Sequence, residues 1–153
     1  MYYVIVFSLM LALPVLSIVI EVRISGDASM AALAGKWFVF WVVGVRLFLA
    51  GVRQVAQPKY TAEVILGLKS SEVLLMVREL GFANLASGLV GLASLAIPGW
   101  RLAAALAGGS FYLLAGVNHA LQAHRNRLEN VAMVSDLLAA AVLLGLCIMA
   151  LAV

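Results

Sequence analysis

Residues 77–95, VRELGFANLASGLVGLASL, decide which class of protein this sequence encodes. The stretch begins with the adjacent charges Arg78 and Glu79, passes Asn84, and continues as an apolar run that contains several small residues. Small residues at helical spacing let membrane helices approach closely, and polar groups inside a bilayer are costly unless neighbouring helices hold them. The stretch therefore predicts a transmembrane helix that packs against others and holds polar side chains near one end.

The composition of the whole chain supports a membrane protein. Hydrophobic residues make up 65% of the 153 residues and charged residues 11%, whereas soluble domains are about half apolar and about a quarter charged. A soluble core could not hide this much apolar surface, so lipid must cover much of it. The net charge of +3 comes without a basic stripe that is interleaved with aromatic residues. We therefore expect no nucleic-acid partner.

Apolar segments divide the chain, taken as a single domain over residues 1–153, into five predicted spans. The spans are residues 2–20, 37–53, 71–97, 102–121 and 127–153, and an amphipathic stretch at residues 58–69 lies at the interface. The second span is short and contains Arg46, so a bundle of four spans stays open. The predicted fold class is an all-α integral membrane bundle of four to five helices.

Residues with capping side chains predict where three of the helices begin. The candidates are Asp27 or Ser29 for the second helix, Ser70 or Ser71 for the third, and Asn126 for the fifth. Glu129 follows Asn126 by three residues, which is the pattern of a capping box.

The distribution of positive charge predicts the orientation in the membrane. Five spans place the larger group of basic residues on one side: Arg53, Lys59, Lys69, Arg78, Arg125 and Arg127. The other side has Arg23, Lys36 and Arg101. Because positive residues favour the cytoplasmic side, we predict a multi-pass protein of the cytoplasmic or inner membrane with its N-terminus in the cytoplasm.

This topology brings the polar residues of four spans to within two or three helical turns of the cytoplasmic surface. The candidate polar site consists of Arg46, Arg53, Arg78, Glu79, Asn84, Asn118, His119, Glu129 and Asp136. An isolated charge inside the bilayer costs about 2.5–3.5 kcal/mol, so opposite charges at one depth should pair. Arg46 and Arg53 are the cations, with Glu79 and Asp136 as partners. We favour an Arg46–Glu79 pair, because these two residues lie at comparable depth.

The polar cluster has two interpretations from the sequence. It is either a network that braces the bundle, or a polar pocket that binds a molecule or moves protons. We predict no metal site, because His119 and His124 are five residues apart and no H-E-x-x-H motif is present. The catalytic residues and the cofactor stay unknown, since the chain has no G-x-S-x-G motif and Cys147 is remote in depth from either histidine.

Small residues predict which helix faces pack. The candidate packing residues are Ser87, Gly88, Gly91, Ala104, Gly108 and Gly116. The turn at residues 98–101 is short, so we predict that the third and fourth spans are antiparallel neighbours that pack through these residues. A chain this short has little interior of its own. We therefore expect it to form a homo-oligomer or to join a larger membrane complex, with the lipid bilayer as its other partner.

Three blocks of the sequence resemble a known family. The blocks are WFVFWVVGVRLFLAGVRQ, VRELGFANLASGLVGLASL and LAGGSFYLLAGVNHALQAHRNRLENVAMVSDL. Together they resemble a family of small prokaryotic polytopic membrane proteins that is catalogued only as a domain of unknown function. The resemblance covers residues 36–137, and it implies a helical membrane protein without supplying an activity. A further likeness, to DoxX-like four-helix membrane proteins, rests on architecture alone.

Two classes of function follow from these observations. We favour a non-enzymatic protein, meaning a scaffold, an accessory subunit, or a small ligand-binding or transport element. The alternative is a membrane-embedded enzyme or redox partner that acts on a lipophilic molecule, such as a quinone or a lipid, at the cytoplasmic polar cluster. A pocket occupied by a non-protein molecule or metal that touches His119, Glu79 or Asp136 would favour ligand chemistry. A closed network of ion pairs would favour a structural role.

Overall fold

A computed structural model describes residues 2–25 and 29–152 of the chain. These residues form helices and turns, with no β-strand among them. Five helices are long and apolar enough to cross a membrane. They are α1 (Tyr2–Ile24), α2 (Met30–Ala56), α3 (Ser71–Ala93), α4 (Pro98–Leu121) and α5 (Arg127–Leu151). The predicted all-α membrane bundle is confirmed. Asp27 and the last residue of the fifth predicted span lie outside the described residues.

The bounds of the helices differ from the prediction by four residues at the end of α1, the end of α3 and the start of α4, and by seven residues at the start of α2. The second span was expected at residues 37–53, but α2 begins at Met30, because MAALAG continues the apolar helix toward the N-terminus. Arg46 therefore lies well inside a long helix. The third span was expected to reach residue 97, but α3 ends at Ala93 and a turn leads to Pro98. A proline disfavours helical geometry in the residue before it, which accounts for the earlier end.

Two of the three predicted helix caps form side-chain hydrogen bonds. The Ser70 hydroxyl accepts a hydrogen bond from the Glu72 amide at 3.3 Å, and the Asn126 side chain accepts one from the Glu129 amide at 2.9 Å. Ser29 occupies the cap position of α2 without a side-chain bond. The Glu129 carboxylate lies against His119 instead of completing the capping box.

A short π-helix, Tyr60–Ile65, joins α2 to α3, and we call it the connecting helix. Thr61 and Ala62 are buried, whereas Glu63 and Val64 are exposed, which agrees with the amphipathic character of this segment. The Asn126 side chain donates a hydrogen bond of 2.7 Å to the Ile65 carbonyl. The connecting helix is thereby tethered to the start of α5.

Close packing between α2 and α3 depends on glycines. A Cβ atom added to Gly91 would lie 2.5 Å from the Gly44 nitrogen, and one added to Gly88 would lie 2.5 Å from the Phe48 nitrogen. The two backbones therefore touch at positions where any side chain would separate them.

The predicted packing of α3 against α4 through their small residues is wrong. Gly88 and Gly91 face α2, Gly108 faces Val43 of α2, and Gly116 faces Leu137 of α5. Ala104 lies in the core, and Ser87 is only half-buried. The short turn between α3 and α4 fixes their order along the chain, but it does not fix the rotation of each helix about its axis.

Polar contacts also join the C-terminal end of α1 to α2. Glu21 accepts hydrogen bonds from Lys36 at 2.7 Å and from the Trp37 indole at 2.6 Å. Deeper in the bundle, the Trp41 indole donates to Ser17 at 2.9 Å. These contacts set α1 alongside α2, and the opposite ends of the same helices are left to form the candidate site.

Candidate functional site

A cavity of about 440 Å³ lies at the end of the bundle where α1 begins. Successive helices run in opposite directions, so the starts of α1, α3 and α5 lie at the same end of the bundle as the ends of α2 and α4. These helix segments line the cavity. The connecting helix adds part of the wall. We call this cavity the pocket. Its polar lining residues are Tyr2, Arg46, Arg53, Gln54, Tyr60, Thr61, Asn84, Tyr112, His119 and Asp136.

Arg46 and Asp136 form an ion pair in the wall of the pocket. Arg46 Nη2 lies 2.7 Å from Asp136 Oδ1 and 3.0 Å from the Ser135 hydroxyl. Only 13% of the Arg46 side chain and 10% of the Asp136 side chain are exposed. The guanidinium also lies 4.7 Å from the centroid of the Tyr112 ring, and its Nη1 lies 2.9 Å from the Met10 sulfur. Helices α1, α2, α4 and α5 therefore meet around one cation.

A π-helical segment of α2, Val39–Val45, places Arg46 against α4. In an α-helix the Arg46 amide would bond the Val42 carbonyl. Here that amide bonds the carbonyls of Trp41 and Val43, and the Val42 carbonyl accepts a hydrogen bond of 2.7 Å from the buried Tyr112 hydroxyl. Such π-helical turns often occur at functional sites.

The predicted Arg46–Glu79 pair is wrong. Arg78, Glu79 and Asn118 are all exposed, and within the described residues neither Arg78 nor Glu79 forms an ion pair. The buried face of α3 passes through Val77, Gly81 and Asn84. Glu79 lies two residues from Val77 and from Gly81, on the opposite side of the helix. Glu79 is therefore on the wrong face. It is also too far from Arg46 along the helix axis, since its neighbour Gly81 packs against Gln54 and Val55 near the end of α2.

Asn84 lies in the pocket wall, where it bonds a residue that the sequence analysis missed. Its side-chain amide donates to the Gln54 side chain at 2.8 Å, and both residues are buried. Gln54 lies one residue beyond the predicted second span, residues 37–53. The spacing Leu47, Gly51, Gln54 continues one helix face, and this pattern could have identified it.

His119 and Glu129 form a second polar pair beside the pocket. His119 Nδ1 lies 3.2 Å from Glu129 Oε1, and 3% of the Glu129 side chain is exposed. Arg125 donates to the carbonyls of His119 and Ala120 at 3.0 Å each, which satisfies the end of α4. No group of three or more His, Cys, Asp or Glu side chains able to hold a metal ion occurs in residues 2–25 and 29–152.

Arg53 lies nearer the end of α2 and also lines the pocket. Its guanidinium carbon lies 3.6 Å from the centroid of the Tyr60 ring in the connecting helix. Its Nε is buried and has no hydrogen-bond partner in the described part of the chain. Arg53 thus differs from Arg46, which has a carboxylate beside it.

The remainder of the pocket is mostly apolar. Its wall includes Ile5, Leu9, Leu80 and Phe111. Ligand sites in proteins usually have volumes of about 300–1,000 Å³ and combine apolar walls with a few convergent polar groups. The pocket therefore has the size and chemistry to hold part of an amphipathic molecule.

Comparison with known proteins identifies a family. The model of DUF6790, a family of unknown function, matches residues 1–153, so the likeness extends beyond the residues 36–137 of the sequence resemblance. No curated protein and no solved structure matches the chain. The likeness to DoxX-like proteins is not shown by these comparisons.

Proposed function

We propose that this chain, which belongs to the DUF6790 family, is a non-enzymatic membrane protein that binds a small lipophilic molecule with a polar head in the pocket. The proposal rests on one observation: a cavity of about 440 Å³ whose mostly apolar wall bears the Arg46–Asp136 pair. Ionisable residues within membrane spans mark ligand or ion pathways in many proteins. A mostly apolar wall favours a lipophilic molecule over a free ion.

A purely structural role for the ion pair accounts for less of the geometry. A brace is most effective when its charges are closely packed and fully hydrogen-bonded, because burying charge is costly. Here open space adjoins Arg46, Asp136 and Arg53. The ion pair therefore both joins the helices and presents hydrogen-bonding groups to the cavity.

The orientation predicted from the basic residues places the pocket toward the cytoplasm. In this proposal the ligand enters from the inner leaflet or from the cytoplasmic surface of the cell membrane. We also expect the chain to associate with copies of itself or with a larger membrane complex, as its short length indicates.

Mass spectrometry of the intact protein, extracted with its surrounding lipids in polymer nanodiscs, tests the proposal. Wild-type protein should retain a bound molecule after the bulk lipid is released. Ala50→Phe should abolish retention, because Ala50 lines the pocket and a phenyl ring there would fill it. Val52→Phe is the matched control, since Val52 is 44% exposed on the outer side of the same helix. Absence of a retained molecule in the wild type, or equal retention in both variants, would overturn the proposal.

The His119–Glu129 pair favours a second candidate, an enzyme or redox partner that acts on a lipophilic molecule. A histidine beside a buried carboxylate can transfer a proton, and His119 lines the pocket. In that case the wild type should convert the retained molecule over time, whereas His119→Gln should retain it unchanged. Equal composition of the retained material over time in both proteins would support binding alone.

A further inference from the structure

We infer that the head of the ligand is acidic and that Arg53 binds it, an inference that rests on the proposed function of the pocket. The ligand class is a single-headed anionic amphiphile, meaning a carboxylate or phosphate attached to a hydrocarbon chain. The inference depends on three features of Arg53: it lacks an ion-pair partner among the described residues, its Nε atom is buried, and its guanidinium contacts Tyr60.

One charged residue that lines the pocket has no ion-pair partner among the described residues. Arg46 and Asp136 pair with each other at 2.7 Å. Arg53 lines the same cavity and forms no ion pair with any described residue. An acidic ligand in the pocket would supply the partner that Arg53 lacks.

Arg53 is also held in position to receive an acid. Its guanidinium lies against the Tyr60 ring at 3.6 Å, which restricts its orientation. Its buried Nε donor lacks an acceptor in the part of the chain that the structure describes. A carboxylate or phosphate accepts two parallel hydrogen bonds from a guanidinium. An acidic head in the pocket would therefore provide the guanidinium with an ion-pair partner.

The position of Arg53 fits a head at the end of the pocket that is nearer the end of α2. Arg53 lies seven residues after Arg46, or about 10 Å farther along α2 toward its end. Ile5, Leu9 and Phe111 line the same cavity and provide apolar contact for a hydrocarbon chain. The apolar lining of the pocket and the charge of Arg53 together fit an amphiphile whose acidic head lies at Arg53.

The test is binding of radiolabelled oleate and of oleyl alcohol, which share a chain and differ in the head. The full chain is placed in nanodiscs of zwitterionic phosphatidylcholine, and binding to empty discs is subtracted. We expect the wild type to bind oleate about tenfold more tightly than the alcohol. Arg53→Gln should remove this preference, and Arg53→Lys should retain part of it. Arg78→Gln is the control, because Arg78 is exposed and lies outside the pocket.

Phosphatidylglycerol in the discs distinguishes the two sources of an acidic head. Competition between phosphatidylglycerol and oleate at Arg53 would identify a membrane phospholipid as the ligand. Undiminished oleate binding would identify a free acid, and both results support the inference.

Equal affinity of the wild type for oleate and the alcohol, unchanged in Arg53→Gln, would overturn the inference. The proposed function would survive that result if Ala50→Phe still reduced binding of both molecules. If Ala50→Phe reduced neither, the proposed function itself would fail. Arg53→Lys is the control for a folding defect in Arg53→Gln. It keeps the positive charge, so it should keep part of the preference for the acid.

Discussion

Arg46 and Asp136 lie 90 residues apart in the chain, and their side chains meet at 2.7 Å in the wall of the pocket. The contact joins α2 to α5. Only 13% and 10% of the two side chains are exposed, so the loss of either partner would leave the other charge poorly solvated. The stability of the bundle and the chemistry of the pocket therefore depend on the same pair.

Breaking this ion pair should destabilise the protein. Asp136→Asn and Arg46→Gln should each lower the free energy of unfolding in detergent by about 3–5 kcal/mol, because each leaves a buried charge alone. The double variant should recover part of the loss. Glu79→Gln, which changes an exposed carboxylate, should alter stability by less than about 0.5 kcal/mol. Simple additivity of the two single changes would rule out a direct interaction.

The contact between α2 and α3 should be sensitive to one methyl group. Gly91→Ala places a Cβ atom 2.5 Å from the Gly44 nitrogen, which forces the backbones apart and should cost about 1–3 kcal/mol. Gly145→Ala adds the same methyl group where no atom lies within 4 Å, and should be neutral or stabilising by up to about 1 kcal/mol. Thermal unfolding compares the two variants, and equal effects would contradict the packing of α3 on α2.

The hydroxyl of Tyr112 should contribute to stability through the π-helical segment of α2. Tyr112→Phe removes the donor at 2.7 Å from the Val42 carbonyl and should cost about 1–3 kcal/mol, because the buried carbonyl loses its partner. Tyr3 is 48% exposed, so Tyr3→Phe is a control that removes a hydroxyl at little cost. Matching melting temperatures for the two variants would show that the hydrogen bond is unimportant.

Reporter fusions should locate the two ends of the bundle on opposite sides of the membrane. A reporter inserted between the connecting helix and α3, at residues 66–70, should be active in the cytoplasm. A reporter fused after α5 should be active outside. Activity of both fusions on one side would contradict five crossings and restore the four-span bundle.

Much of the architecture could be predicted from hydropathy, because a span needs only length and apolar composition. The convergence of Arg46, Arg53, Asn84, His119 and Asp136 on one cavity also followed from counting spans and residues from the membrane surface. Each residue of a helix adds about 1.5 Å along its axis. The distance of a residue from the membrane surface can therefore be counted from the sequence, and residues on different helices can be compared.

Helix rotation could not be predicted in the same way. Glu79 lies on the face of α3 that points away from the bundle. It is also near the end of α2 rather than level with Arg46, because Gly81 packs against Gln54 and Val55. The true partner, Asp136, lies on the inner face of α5. Gln54 was missed because the predicted second span stopped at residue 53, whereas α2 continues to Ala56. The rotation of each helix about its axis depends on where glycines such as Gly44 and Gly91 allow two backbones to approach closely. Such contacts involve both helices, so the sequence of one helix does not determine them.

Photo-crosslinking tests the central claim, that the pocket binds a lipophilic molecule, most directly. A diazirine fatty acid is added to the protein in nanodiscs, and labelled positions are mapped by peptide sequencing. We predict labelling of Phe111 and Ala115, which line the pocket, and suppression of that labelling by excess oleate and by Ala50→Phe. Leu114 neighbours Ala115 but is 70% exposed outside the pocket. Labelling confined to Leu114 and other outward residues, and unaffected by competitor, would contradict the account.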